Sequence, residues 1–135
     1  MKIPKLHLVV CLICIVVLLF SSCARRPRKP ADVTRTLYTA IYADGNVKLA
    51  REYSSQKVLS LAIKDYGSVE NWIKAIHKSK VDNDFNLTEV EILEEDIEDN
   101  QAKLRIRLHD KGGKTEYEDV DLVKENGRWK VTVNL

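Results

Sequence analysis

The acidic and phenolic side chains of this 135-residue sequence could perform acid–base chemistry. Glu118 is in phase with Val120 and Leu122 in a segment of alternating polar and apolar residues, so it shares their apolar face. The predicted register places it opposite Leu108 and Leu135. A carboxylate held in an apolar cleft beside a tyrosine can act as a general base. The simpler interpretation, which we favour, leaves Glu118 in water at the end of the sheet, without a catalytic role.

Aromatic residues could line a ligand cavity, because a ring of this kind offers apolar area together with a polar atom. The candidates for ligand contact are Tyr38, Tyr42, Trp72 and Trp129. Aromatic residues at helical spacing more often belong to a core. For Trp129 the competing interpretation is packing against the helices.

The remaining polar motifs predict neither a metal site nor a cofactor. His77 and His109 stand apart, without the spacing of a zinc motif. Gly112 and Gly113 join two strands and do not form a phosphate-binding loop. The acidic residues at 94–99 lack the glycine and the terminal glutamate of a calcium loop, and they are typical of a solvated surface.

The first 22 residues have the architecture of a signal peptide. Lys2 and Lys5 precede an uninterrupted apolar run over residues 8–20, and two serines follow it. The run is shorter than the roughly 20 residues of a membrane-spanning helix. We therefore expect residues 1–22 to direct export rather than to join the fold.

Residues 20–23, Phe-Ser-Ser-Cys, resemble a bacterial lipobox. The resemblance implies cleavage before Cys23 and acylation of Cys23, which would hold the protein on a bilayer. Residues 23–30, which are basic and interrupted by Pro27 and Pro30, would then form a tether over anionic headgroups. The alternative is an uncleaved signal anchor, favoured by the positive charges at 25–29, which oppose export.

These features predict a lipid-anchored protein of the bacterial envelope. Ala24, rather than Asp, after the acylated cysteine favours the outer membrane, with the domain facing the periplasm. The balance of 22 Lys and Arg residues against 20 Asp and Glu residues excludes a general nucleic-acid binder, which needs an excess of positive charge.

Residues 31–135 are predicted to form one α+β domain, because helical periodicity precedes strand periodicity. Capping residues predict four helix starts, at Asp32, Asn46, Ser55 and Ser68. Gly45 and Gly67 are predicted to end the first and third helices. Leu61 falls on the apolar side of the third helix.

Four strands are predicted after Phe85, over residues 87–97, 101–109, 115–124 and 128–135. The Asn126-Gly127 pair predicts a two-residue hairpin that places Lys124 opposite Trp129. The same hairpin sets Leu122 opposite Val131 and Val120 opposite Val133.

A three-residue loop at 112–114 is predicted for the preceding hairpin. It sets Ile106 opposite Val120, Leu104 opposite Leu122, Arg107 opposite Asp119 and Arg105 opposite Asp121. The predicted inner face of the sheet consists of Leu104, Ile106, Leu108, Val120, Leu122, Trp129, Val131, Val133 and Leu135.

Helices followed by an antiparallel meander that closes on residues 126–131, Asn-Gly-Arg-Trp-Lys-Val, resemble the nuclear transport factor 2-like superfamily. The sequence is most similar to small bacterial lipoproteins of that superfamily with a domain of unknown function, whose first helix carries a pattern like Tyr38-Thr39-Ala40-Ile41. The resemblance implies a curved sheet that wraps the helices into a cone.

The resemblance leaves three functions open. The first is a non-catalytic cone that binds a small apolar ligand or another envelope protein. The second is an isomerase- or dehydratase-like enzyme that uses Glu118 and a tyrosine. The third is a structural homodimer that associates through the open face of the sheet.

Overall fold

A computed structural model describes residues 29–133, and the predicted signal peptide and Cys23 lie outside this range. The described chain is an α+β domain in which helices pack on a four-stranded antiparallel sheet. Helix α1 covers Pro30–Thr39 and continues into a π-helical turn at Ala40–Asp44. Within residues 29–133, no helix is both long and apolar enough to cross a membrane.

The start of α1 differs from the prediction that Asp32 caps it. Pro30 occupies the first turn, where its missing N–H and fixed φ are favourable, and Lys29 is the capping position. Asp32 therefore lies inside the first turn, where its carboxylate lies 3.3 Å from Nη1 of Arg35. Gly45, with a φ of +60°, ends the π-helical turn as predicted.

The other three helices begin as predicted. They are α2 (Val47–Tyr53), α3 (Gln56–Tyr66) and α4 (Val69–Asp82). Asn46, Ser55 and Ser68 each accept a hydrogen bond from the backbone N–H three residues later. Leu61 was expected on the apolar side of α3, but 38% of its surface is exposed.

The sheet is a simple meander with the strand order β1-β2-β3-β4. Its strands are β1 (Leu87–Glu98), β2 (Gln101–Asp110), β3 (Thr115–Glu125) and β4 (Arg128–Thr132). Strand β4 is shorter than predicted, since it ends at Thr132. Leu135, predicted for the inner face, lies outside the described residues.

The hairpin between β3 and β4 confirms the predicted register. Asn126 and Gly127 both have positive φ angles, +51° and +73°, as a type I′ turn requires. Lys124 lies opposite Trp129 and Leu122 lies opposite Val131.

The hairpin between β2 and β3 corrects the predicted register by two residues. Leu104 lies opposite Val120, and Ile106 lies opposite Glu118. Residues 111–114 connect the two strands, and the loop closes one residue earlier than the predicted 112–114. The Asp110 N–H donates to the Lys114 carbonyl at 3.0 Å, and the Asp110 carboxylate accepts a bond from the Lys114 N–H at 2.6 Å. A shift by an even number keeps each side chain on its predicted face.

The outer face of the sheet carries ion pairs, as expected, but between different partners. Asp119 pairs with Arg105, at 3.0 Å between Oδ1 and Nε, rather than with Arg107. Arg107 and His109 both contact the Glu91 carboxylate of β1. The two-residue register shift accounts for this exchange of partners.

The core lies between the inner face of the sheet and the helices. Fully buried side chains there include Val33 of α1, Ile73 of α4, Ile106 and Leu108 of β2 and Leu122 of β3. Strand β1 forms one edge of the sheet, and its pairing with β2 is interrupted by two register irregularities. Its last six residues are exposed.

Candidate ligand-binding site

A cavity of about 300 Å³ lies between the helices and the second half of the sheet. The residues that line it come from α1 and its π-helical turn, the α2–α3 junction, α3, α4, β3 and the end of β4. We call it the Glu118 cavity, and its lining consists of Leu37, Tyr38, Ile41, Tyr42, Ser54, Val58, Trp72, Ile76, Glu118, Asp119, Val120, Val131, Thr132 and Val133.

Glu118 is hydrogen-bonded to two tyrosines at the wall of this cavity. The Tyr38 hydroxyl donates to Oε2 at 2.6 Å, and the Tyr42 hydroxyl donates to Oε1 at 3.0 Å. Glu118 lies within β3, is half-buried, and pairs with Ile106 of β2. The expectation that it stands in water at the end of the sheet is therefore wrong, as is its predicted pairing with Leu108.

The helical repeat positions the two tyrosines for this contact. Residues four apart lie on the same side of a helix, so Tyr38 and Tyr42 face β3 together across the junction of α1 and the π-helical turn. Their rings meet edge to face, with 5.3 Å between centroids and an interplanar angle of 71°. Together with Glu118 they form a compact unit, which we call the Tyr–Glu–Tyr unit.

The environment of the tyrosines keeps both phenols protonated. Burial raises the pKa of Tyr38 far above its ordinary value, and the nearby Glu118 charge and hydrogen bond raise it further. The same causes, in the same order, raise the pKa of Tyr42. Both hydroxyls are therefore donors over the physiological pH range.

Glu116, a second acid on β3, also faces the helices, because it lies two residues before Glu118 on the same side of the strand. Lys80 of α4 reaches across to pair with the Glu116 carboxylate. Nζ of Lys80 also lies 4.7 Å from the centroid of the Tyr42 ring. The Glu116 charge is therefore balanced within the protein.

Two serines at the α2–α3 junction add polar groups to the site that no sequence pattern indicated. The Ser55 hydroxyl donates to Oγ1 of Thr132 at 2.9 Å. Ser54 is 2% exposed, and its hydroxyl oxygen has no hydrogen-bond partner within residues 29–133. In the sequence Ser54 resembles an ordinary residue before a helix cap, so only its burial against β4 distinguishes it.

The aromatic candidates fall into two groups. Tyr38, Tyr42 and Trp72 line the Glu118 cavity together, whereas Trp129 does not. Trp129 is 8% exposed and belongs to the hydrophobic core, and Nζ of Lys124 lies 5.0 Å from its ring centroid. The structure thus places Trp129 where the competing interpretation expected it.

His77 and His109 make separate local contacts. Nδ1 of His77 lies 3.2 Å from the Tyr42 carbonyl oxygen, and Nε2 of His109 lies 2.7 Å from the Glu91 carboxylate. Among residues 29–133, no group of three or more metal-ligating side chains is arranged to hold an ion.

Comparison with known proteins agrees with this architecture. A crystal structure of an NTF2-like (nuclear transport factor 2-like) transpeptidase from Campylobacter jejuni superposes with a TM-score of 0.61 at 18% sequence identity. The match covers 78% of this chain and 99% of the other, and at this identity it shows the fold alone. None of the curated proteins is significantly similar in sequence. The family profile of DUF4878, a domain of unknown function, matches residues 21–132. This chain is therefore a member of the DUF4878 family, and it has an NTF2-like fold.

Proposed function

We propose that this protein is a lipid-anchored component of the bacterial envelope whose domain binds a small, largely apolar ligand without transforming it. The observation that supports binding is the Glu118 cavity, which combines apolar walls with a few polar groups at defined positions. Ligand sites in proteins have this composition.

The cavity is half-open to solvent, so a ligand can reach it from the surface of the domain. A volume of about 300 Å³ is at the lower end of the range for ligand pockets. The ligand is therefore small.

A dye-binding experiment tests the cavity directly. Val58 lines the cavity and is half-buried, so Val58→Trp should fill part of the volume. We expect the uncharged dye N-phenyl-1-naphthylamine to bind the wild-type protein and to bind Val58→Trp at least about tenfold more weakly, which corresponds to about 1.4 kcal/mol.

The matched control is Val81→Trp, because Val81 lies on α4 and is 60% exposed. It should leave dye affinity unchanged. Equal dye affinity of Val58→Trp and wild type, with both proteins folded by circular dichroism, would show that the cavity is not the binding site.

Proton-transfer catalysis is a second candidate, because the Tyr–Glu–Tyr unit places a carboxylate beside two donors. Isomerase-type enzymes use a carboxylate to remove a proton next to a carbonyl group while hydrogen-bond donors stabilise the oxyanion. Here both tyrosine hydroxyls are already bonded to Glu118, so a substrate oxygen would first have to displace one of them. This competition favours binding over turnover.

Deuterium exchange distinguishes the two candidates. A catalytic protein would accelerate exchange of the α-protons of cyclohexanone in D₂O, and Glu118→Gln would lose the acceleration. We expect no acceleration by the wild-type protein beyond that of Glu118→Gln. A rate that depends on Glu118 would favour the enzyme.

The proposed anchor rests on the sequence of the leader, since Cys23 lies outside the described residues. Acyl chains contribute about 0.8 kcal/mol per buried methylene, so several chains hold a domain firmly on a bilayer. The intact mass of protein extracted from membranes should correspond to a chain that begins at Cys23 and carries acyl groups. A full-length mass beginning at Met1 would instead indicate an uncleaved anchor.

A further inference from the structure

We infer that the Glu118 cavity selects a ligand with a compact apolar body and a single cationic amine group, and that the amine binds at Glu118. This inference rests on the proposed ligand-binding function and specifies the chemistry of the ligand. It follows from the charges, the free acceptor positions and the aromatic rings of the cavity.

The charges that border the cavity favour a cation. Among the described residues that line it, the charged ones are Glu118 and Asp119, and none is basic. Asp119 pairs with Arg105 on the outer face of the sheet, which leaves Glu118 as the charge directed at the ligand. The Lys80 cation near Tyr42 is paired with Glu116. An anionic ligand would therefore meet uncompensated repulsion in the cavity.

Glu118 retains the capacity to bind a donor. An ionised carboxylate has about four lone-pair positions, and the two tyrosines occupy one on each oxygen. An ammonium group offers three donors and no acceptor, so it complements the remaining positions. Charge-assisted bonds of this kind are roughly twice as strong as neutral ones.

Aromatic rings that line the cavity would stabilise the same cation. Tyr38, Tyr42 and Trp72 all line the cavity. The protein already places an ammonium group against one of these rings, since Nζ of Lys80 lies 4.7 Å from the Tyr42 centroid. A ligand amine would use the rings that face the cavity in the same way.

Ser54 is an independent indication that the cavity receives a polar partner. A buried hydroxyl without a hydrogen bond is costly, and most such groups in native proteins have a partner. The Ser54 hydroxyl lacks one among the described residues and belongs to the cavity lining. A water molecule or another polar atom that enters the cavity together with the ligand would satisfy it.

Three probes of similar shape and different charge test the inference on the wild-type protein. They are 2-phenylethylamine, 2-phenylethanol and phenylacetate, titrated at pH 7 and followed by amide chemical shifts of the cavity residues. We expect the amine to bind at least about tenfold more tightly than the alcohol, and phenylacetate to bind most weakly.

Glu118→Gln should abolish the preference for the amine while changing the affinity for 2-phenylethanol by no more than about twofold, because the amide keeps the shape and removes the charge. The control is Glu89→Gln, which removes the same charge at an exposed position of β1. It should leave the preference intact. The wild-type comparison does not depend on whether Glu118→Gln folds.

The possible failures are distinct. If the alcohol binds as tightly as the amine, or phenylacetate binds most tightly, the amine inference is wrong while ligand binding stands. If no probe shifts the cavity residues and the uncharged dye also fails to bind, the proposed function is wrong and the inference fails with it. If the preference persists in Glu118→Gln, the amine is recognised elsewhere.

Discussion

At the scale of single residues, the two phenols and the carboxylate of the Tyr–Glu–Tyr unit connect a helix to the sheet. The two hydrogen bonds join residues that are 80 and 76 positions apart in the sequence. They lie at the wall of the Glu118 cavity and link α1 and its π-helical turn to β3. The unit therefore contributes to stability as well as to the site.

Replacing Tyr38 by Phe should destabilise the domain by about 1.5–3 kcal/mol, the usual range for a hydrogen bond to a charged group. The ring stays in place, and only the donor to Oε2 of Glu118 is lost. Urea unfolding measures the difference. Tyr66→Phe is the control, because Tyr66 is 45% exposed and the substitution should cost little. Equal stability of the two variants would show that the bond contributes nothing.

The raised pKa values of Tyr38 and Tyr42 predict a loss of stability at alkaline pH. Unfolded tyrosine ionises near pH 10, whereas the folded phenols resist ionisation because of burial and the Glu118 charge. The stabilisation is therefore fully present below about pH 10 and declines as the pH rises above it. The advantage of wild type over Tyr38→Phe in urea unfolding should shrink between about pH 10 and 12. A constant advantage over that range would contradict the pKa shift.

Sequence alone could identify Glu118 but not its partners. Strand alternation assigns Glu118 to the inner face, and helical spacing puts Tyr38 and Tyr42 on one side of α1. Their contact depends on how far the helix lies along a curved sheet, which no local pattern encodes. For the same reason Ser54, whose role arises from contact with β4, had no signal in the sequence.

At the scale of elements, the loop between β2 and β3 determines the register of half the sheet. The Gly113 N–H donates to the Asp110 carbonyl, and Gly113 has a φ of +87°. This left-handed position favours glycine over any residue with a side chain. The Gly113 conformation and the bond from the Lys114 N–H to the Asp110 carboxylate together close the loop in the register that sets Ile106 opposite Glu118.

Gly113→Ala should destabilise the domain by about 1–2 kcal/mol, because alanine is strained at this φ. Gly112→Ala is the matched control. Gly112 does not have a positive φ, and an added Cβ would meet the nearest Asp110 oxygen at 3.4 Å, an ordinary contact. Thermal unfolding of both variants measures the difference. A larger loss in Gly112→Ala would mean that the loop is strained elsewhere.

Local chemistry predicted the elements themselves well, and two of the errors have clear physical causes. The caps at Asn46, Ser55 and Ser68 follow from short side chains at helix starts. Asp32 was assigned as a cap because it is a good capping residue, but Pro30 allows the helix to begin three residues earlier, with Lys29 at the capping position. The predicted position of the β2–β3 loop was wrong because two adjacent glycines permit the turn at more than one position. The Asp110 side chain selects one of these positions.

At the scale of the whole molecule, helices and sheet share one core, so the domain should unfold as a single unit. The two tryptophans report on different parts, since Trp72 lies on α4 and Trp129 on β4. In urea, the fluorescence transitions of Trp72→Phe and Trp129→Phe should each coincide with the loss of circular dichroism in the same variant. Non-coincident transitions within one variant would indicate that the layers unfold separately.

The acidic second half of strand β1 affects how closely copies of this protein can approach one another. It is an edge strand, and an exposed edge can recruit the same strand of another copy and begin aggregation. The exposed second half of β1 carries carboxylates at Glu94, Glu95, Asp96 and Glu98, and the turn adds Asp99. Two copies that aligned these segments would bring like charges side by side. At the high surface density that the proposed lipid anchor would create, this mutual repulsion would keep neighbouring domains apart and the cavities accessible.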